Sequence, residues 1–213
     1  MILMNFFENP IIIVPWLAAI VIALTVHEFS HALAATLLGD STAKDEGRLT
    51  LNPLAHVSWI GFFMLLLVGF GWGKPVPFNP YNLKYQRFGP ALVAVAGPFS
   101  NLILAIISCV ALKLIIISNF VSVDNLLFQF LFTLISLNIV LLLFNLLPFP
   151  PLDGSKILFA FLSGSKYYSF RQLLETQGPF FLMLLLIFDN FLNINIFGSI
   201  FSVVINFVYR ILL

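Results

Sequence analysis

Between Ile11 and Leu38 the chain carries no lysine or arginine, yet inside this apolar run sit His27, Glu28 and His31. At about 1.5 Å of rise per residue, a helix over the stretch crosses a hydrocarbon core of about 30 Å with some tilt. Ionisable side chains at that depth are costly unless paired or bound to a metal, so they mark function by default. Their order, His27-Glu28-Phe29-Ser30-His31, fits H-E-x-x-H. Positions i and i+4 of a helix share one face, so two neutral imidazoles can hold one metal ion while the glutamate between them reaches the water on that ion. Zinc is the leading candidate.

Composition fixes the solvent. Of 213 residues, 61% are hydrophobic and only 9% charged, with 25 phenylalanines. Globular domains are roughly half apolar and about a quarter charged, so these charges cannot solvate a water-soluble surface, and the lipid bilayer is the expected partner. A net charge of +1 without basic runs leaves no electrostatic footprint for nucleic acid. The lone Cys109 excludes an intrachain disulfide framework and any cysteine-rich metal cluster. Further expected spans are Ala91 to Ile117, interrupted only by Lys113, and the uncharged Leu126 to Leu147. Gln172 to Phe188 and Ile194 to Leu213 would add a hairpin turning at Asp189 and Asn190, unless the last segment lies along the interface. The expectation is an all-α polytopic membrane protein of four to five transmembrane helices. It forms a single domain over 1–213, with core motifs in 23–160 and C-terminal helices in 172–213.

Trp59 to Phe70 is short and punctuated by glycine, which reads as a re-entrant or interfacial element. Arg48 to Leu51 is expected to pair with Lys74 to Phe78 as a short β element between the first and second spans. The stretch from Trp59 to Pro77 could line a water path or offer a strand edge to an extended substrate. Lys44, Arg48, Lys74, Lys84 and Arg87 follow the first span and none precedes it, which puts the N-terminus outside. Asn119 to Asn125 contains Asp124 and no base, whereas Lys156, Lys166 and Arg171 follow the third span, in agreement. His31 then lies roughly 10 Å below the cytoplasmic surface, in the cytoplasmic third of the bilayer. With no basic n-region ahead of the first apolar run, a cleaved signal peptide is not expected.

A catalytic zinc takes three protein ligands and keeps one position open. His56 falls in the cytoplasmic loop and reads as a solvated histidine, Glu8 is on the wrong side, and Asp40, Asp45 and Glu46 follow the helix too closely. Asp153 is better placed, where the third span runs out in Asn145-Leu146-Leu147-Pro148-Phe149-Pro150-Pro151-Leu152-Asp153-Gly154. Prolines break the helix there, and Gly154 permits close backbone approach. The competing role for Asp153 is a cap for a helix over Ser155 to Leu162.

H-E-x-x-H in one apolar helix followed by Asn145, Pro148, Pro151, Asp153 and Gly154 after another resembles the site-2 protease family of intramembrane zinc metalloproteases. The likeness is to the compact prokaryotic branch without PDZ or CBS domains. Gly39-Asp40, Gly47 to Leu54, Lys74-Pro75-Val76-Pro77 and Gly97-Pro98-x-x-Asn101 extend it. After His56 the compact branch often continues with an acidic residue and proline, where this chain has Val57-Ser58-Trp59. The resemblance implies one zinc per chain held by His27, His31 and Asp153, with Glu28 activating the water. It implies a role for Asn145 in stabilising the oxyanion or orienting substrate. Asn145 and Asn101 have the alternative of an interhelical hydrogen bond, the favoured one for Asn101. The implied activity is hydrolysis of peptide bonds within or near transmembrane segments of membrane-protein substrates, in a prokaryotic plasma membrane. The alternative is a catalytically inactive metal-binding membrane protein that acts as scaffold or regulator.

Overall fold

The computed structural model describes residues 11, 13–68, 71–118, 122, 125–191 and 195–212. Among the described residues, seven helices of nine residues or more carry the fold: α1 (Ile13–Leu37), α2 (Trp59–Val68), α3 (Gly89–Ile117), α4 (Leu126–Asn145), α5 (Asp153–Phe161), α6 (Tyr168–Phe191) and α7 (Ile196–Leu212). Three of them, α1, α3 and α4, with 25, 29 and 20 residues, are long and apolar enough to cross a membrane. In lipid the backbone must satisfy its own polar groups, which is why these long, mostly apolar runs become helices.

One ridge of α1 organises the bundle. Ala19, Ala23, His27, His31 and Ala35 recur every fourth residue, and all are buried. Small residues let helices approach closely where no hydrophobic drive separates protein from lipid, and here α3 and α4 close over that ridge, with Leu134 packed on Ala19 and Ala23. The same ridge carries both imidazoles into the bundle. Towards the other end of α3, Leu112 joins Leu131 and Ile135 of α4 and Val204, Val208 and Leu212 of α7 in a second apolar cluster. Lys113 Nζ donates to the carbonyl of Ile211 at 2.9 Å, tying the C-terminal ends of α3 and α7 together.

Gly39, at φ +104°, ends α1 in the left-handed conformation that glycine adopts freely. The chain then folds back through a helical turn at Thr42–Asp45 to α2. Here expectation and structure part. Arg48 to Leu51 does not pair with Lys74 to Phe78. The described residues contain one isolated antiparallel bridge, Val57 to Gly73, beside a 2.7 Å bond from Lys74 N to His56 O. Arg48 meets the returning segment through its guanidinium, which donates to the carbonyls of Pro75 (3.0 Å) and Lys74 (2.5 Å). The stretch expected as re-entrant is helical over Trp59–Val68, and residues 69 and 70 lie outside the described residues. A Cβ on Gly61 would stand 2.0 Å from Trp72 O and one on Gly71 2.2 Å from Gly61 O, so α2 touches the return segment backbone to backbone.

The C-terminal pair also differs in its turn. Asp189 and Asn190 lie inside the last turn of α6, and Asp189 Oδ1 accepts from Ile196 N at 2.6 Å, capping α7. Residues 1–10, with Glu8, lie outside the described residues, as does Asp124 of the expected outer loop.

Candidate metal centre

His27, Glu28 and His31 are 5%, 9% and 7% exposed in the middle of the bundle. The i, i+4 spacing sets the two rings edge to face with their Nε2 atoms 3.0 Å apart. Gly97 of α3 makes room for them: a Cβ there would lie 2.3 Å from His31 Nε2 and 2.6 Å from His27 Cε1. The helix α3 therefore passes the imidazoles with backbone alone.

Asp153 arrives from the far side. After Asn145 the prolines stop α4, and the chain turns under itself so tightly that a Cβ on Gly154 would stand 2.3 Å from Leu146 O and 2.4 Å from Leu147 O. The cap position of α5 is Leu152, whose carbonyl accepts from Ser155 Oγ at 2.6 Å. Asp153 is thus the first residue inside α5 and its side chain is spent elsewhere: Oδ2 stands 3.3 Å from His27 Nε2 and 3.2 Å from His31 Nε2. Arg87 holds the other end of α5, donating through Nε to Ala160 O at 3.0 Å.

Three ligand atoms from two separate helices therefore form a triangle with edges of 3.0, 3.2 and 3.3 Å. Atoms about 2.0–2.1 Å from a tetrahedral zinc stand about 3.3 Å from one another, so the spacing is that of one face of a tetrahedron. The chemistry of the donors fits as well. His31 Nδ1 lies 2.8 Å from the Val93 carbonyl, which can only accept, so in the neutral ring the proton is on Nδ1 and Nε2 carries the lone pair. Asp153 Oδ2 is buried without a hydrogen-bond donor. Lone pairs meeting in a buried space with no proton between them repel unless a cation joins them.

Glu28 points beside the triangle, towards the returning segment: a Cβ on Gly73 would lie 3.3 Å from Glu28 Oε1 and 3.0 Å from the Leu24 side chain. Asn145 is not drawn in. Half-buried at the end of α4, it donates from Nδ2 to its own helix at Leu141 O, 3.0 Å away. Asn101 makes the interhelical hydrogen bonds expected of it and, fully buried, makes one of them to an imidazole of the triangle, its Oδ1 2.5 Å from His27 Nδ1. Asn138 of α4, which sequence reasoning passed over, stands behind it, its Oδ1 accepting from Asn101 Nδ2 at 2.7 Å. A buried asparagine in an otherwise apolar span was the one available signal.

His56 corrects the expectation of a solvated loop histidine. It is fully buried, its Nε2 2.8 Å from Thr50 O, under the same return segment that Arg48 clasps. Asp40 is likewise fully buried and is a structural acceptor: Asn79 N donates to it at 2.7 Å, Asn82 Nδ2 at 3.0 Å and Thr42 Oγ1 at 2.6 Å. Burial alone would raise its pKa, and these bonds together hold the carboxyl below the usual carboxylate range.

Comparison with known proteins points to one group. The model of peptidase family M50 matches residues 113–186. The chain is 43% identical over 158 residues to "Putative zinc metalloprotease YwhC" of Bacillus subtilis, covering 72% of each chain. It is 33% identical over 149 residues to "Putative zinc metalloprotease Rip2" of Mycobacterium tuberculosis, covering 67% of this chain and 54% of that one. No solved structure matches the chain.

Proposed function

Since the chain belongs to peptidase family M50, the site-2 protease family, and is a zinc metalloprotease of the membrane, we propose that it cuts peptide bonds within or near transmembrane segments of other membrane proteins. His27, His31 and Asp153 hold one zinc ion per chain and Glu28 serves as general base. The observation that carries this reading is the triangle of His27 Nε2, His31 Nε2 and Asp153 Oδ2, with edges of 3.0, 3.2 and 3.3 Å, beside the buried Glu28. A zinc ion bound there supplies a Lewis acid, polarising the scissile carbonyl and lowering the pKa of water towards neutrality.

The chain's own residues do the rest. Glu28 takes the proton of the attacking water on a carboxylate oxygen and returns it to the leaving amine. Its place one residue from His27 keeps it on the neighbouring face of α1, within reach of the open side of the triangle. Gly73, in the extended return segment, leaves space next to Glu28 Oε1 that any larger side chain would occupy. A substrate strand lying along that segment would bring its backbone to the base. Asn145, the last residue of α4, is the candidate for orienting substrate or stabilising the oxyanion, a role in which its amide would leave Leu141 O. The basic residues after α1 and α4 support an outside N-terminus and a site in the cytoplasmic third of the bilayer.

The test compares cells producing wild-type or Glu28→Gln protein, with new N-termini of membrane proteins mapped by mass spectrometry. Wild type should create termini within or beside apolar spans. The variant should retain zinc and slow cleavage by about 100- to 10,000-fold, the usual weight of a general base. Identical termini in both strains, or cleavage confined to soluble domains, would contradict the proposal.

A further inference from the structure

The two carboxamides behind His27 form a chain with one direction. Asn138 is fully buried on α4, and its Nδ2 donates to the carbonyl of Leu134 at 2.7 Å. A carbonyl oxygen only accepts, so the NH2 group of Asn138 is fixed there and its Oδ1 is left facing Asn101. Asn101, equally buried on α3, meets it with Nδ2 at 2.7 Å, and the same group makes a longer 3.4 Å contact with Ala23 O. The Oδ1 of Asn101 is thereby turned to His27 Nδ1. An oxygen there is satisfied only by an N–H, so the His27 proton sits on Nδ1. The lone pair is left on Nε2, the atom that faces His31 and Asp153.

We propose that Asn138 is a positioning residue that acts through Asn101 to hold His27 in the tautomer able to bind metal. This rests on the reading of the triangle as a zinc site. His31 needs no such relay, because its Nδ1 donates directly to the backbone of Val93. His27 depends instead on a carboxamide whose two ends are nearly the same size and which can turn end for end. Turned over, Asn101 would offer an N–H to His27 Nδ1, draw the lone pair there and move the proton to Nε2, closing that atom to a metal. The Leu134 carbonyl, passed on through Asn138 at 2.7 Å, is the closer of the two acceptors that select against that orientation, the other being Ala23 O at 3.4 Å. Residues that support metal-binding histidines commonly set tautomer and ring angle in this way. Here the support comes from the third helix of the bundle rather than from a direct neighbour.

The experiment uses the full chain purified in detergent and compares wild type, Asn138→Leu, Asn138→Asp and the double variant Asn138→Leu with Asn101→Asp. Zinc affinity is measured by chelator competition, and the His27 tautomer in metal-stripped protein by 15N NMR of labelled histidine. Asn138→Leu should weaken zinc by about 10- to 100-fold and populate His27 protonated on Nε2. Asn138→Asp, neutral in so apolar a site, donates its O–H to Leu134 O, keeps an acceptor for Asn101 and should stay near wild type. The double variant should recover affinity, because a carboxylate has no N–H to turn towards His27. Should Asn138→Leu fail to fold, Asn138→Ala with the same rescue carries the comparison.

A residue that merely packs helices would lower thermal stability without moving the tautomer, and rescue would fail. Zinc affinity and tautomer unchanged in Asn138→Leu would overturn the relay while leaving the zinc site standing. A wild type that binds no zinc would overturn both.

Discussion

At the scale of single residues, Gly97 shows how far the site depends on a side chain that is missing. Its Cβ would stand 2.3 Å from His31 Nε2, well inside carbon–nitrogen contact, and the obstructed atom is a proposed zinc ligand on a buried ring rather than the free end of a flexible chain. Gly97→Ala should therefore displace the imidazoles and weaken zinc by about 10- to 100-fold, as altered support of metal ligands does. Chelator competition checks it, and wild-type affinity would contradict it. His27, Glu28 and His31 were legible in sequence because their relation is local, set by one turn of helix. Asp153 was legible because prolines and Gly154 announce a break at the right depth. The burial of His56 was not legible, because the cover over it, the segment around Lys74, comes from elsewhere in the chain. An interhelical hydrogen bond was legible for Asn101, but its partners, His27 and Asn138, were not, since a hydrogen bond between positions 101 and 138 leaves no mark on local pattern.

At the scale of elements, the segments between α1 and α3 are held by polar clasps rather than by a sheet. Asp40 gathers the ends of two loops through Asn79, Asn82 and Thr42. Its carboxyl is ionised more readily folded than unfolded, so the folded state binds fewer protons. The stabilisation is fully present above the ordinary aspartate range, about pH 4, and is lost as pH falls through the lower folded value. Asp40→Asn should cost about 1–3 kcal/mol near neutrality. The gap to wild type should narrow as the pH is lowered, as read by thermal unfolding in detergent, and a gap that stays constant or widens would contradict the clasp. The long helices α1, α3 and α4 follow from apolar runs that lipid turns into helix. The Val57 to Gly73 bridge could not be foreseen, because register between distant segments is set by contacts such as Gly61 against Trp72 and not by either segment alone.

At the scale of the molecule, α1, α3 and α4 enclose the triangle while α5 delivers Asp153 from the end of the bundle. Among the described residues, α3 is the one helix between Lys84 and Ser122. In a protein carrying Cys109→Ser, a membrane-impermeant thiol reagent should reach Lys84→Cys from the cytoplasmic side and Ser122→Cys from outside. Labelling of both from one side would contradict the crossing of α3 and the orientation built on it. The most direct test of the account is zinc per chain in detergent-purified wild type, His31→Ala and Asp153→Ala. It predicts one zinc in the wild type and loss from both variants, because the ligand triangle needs all three corners. Zinc retained at the wild-type level in Asp153→Ala would contradict it.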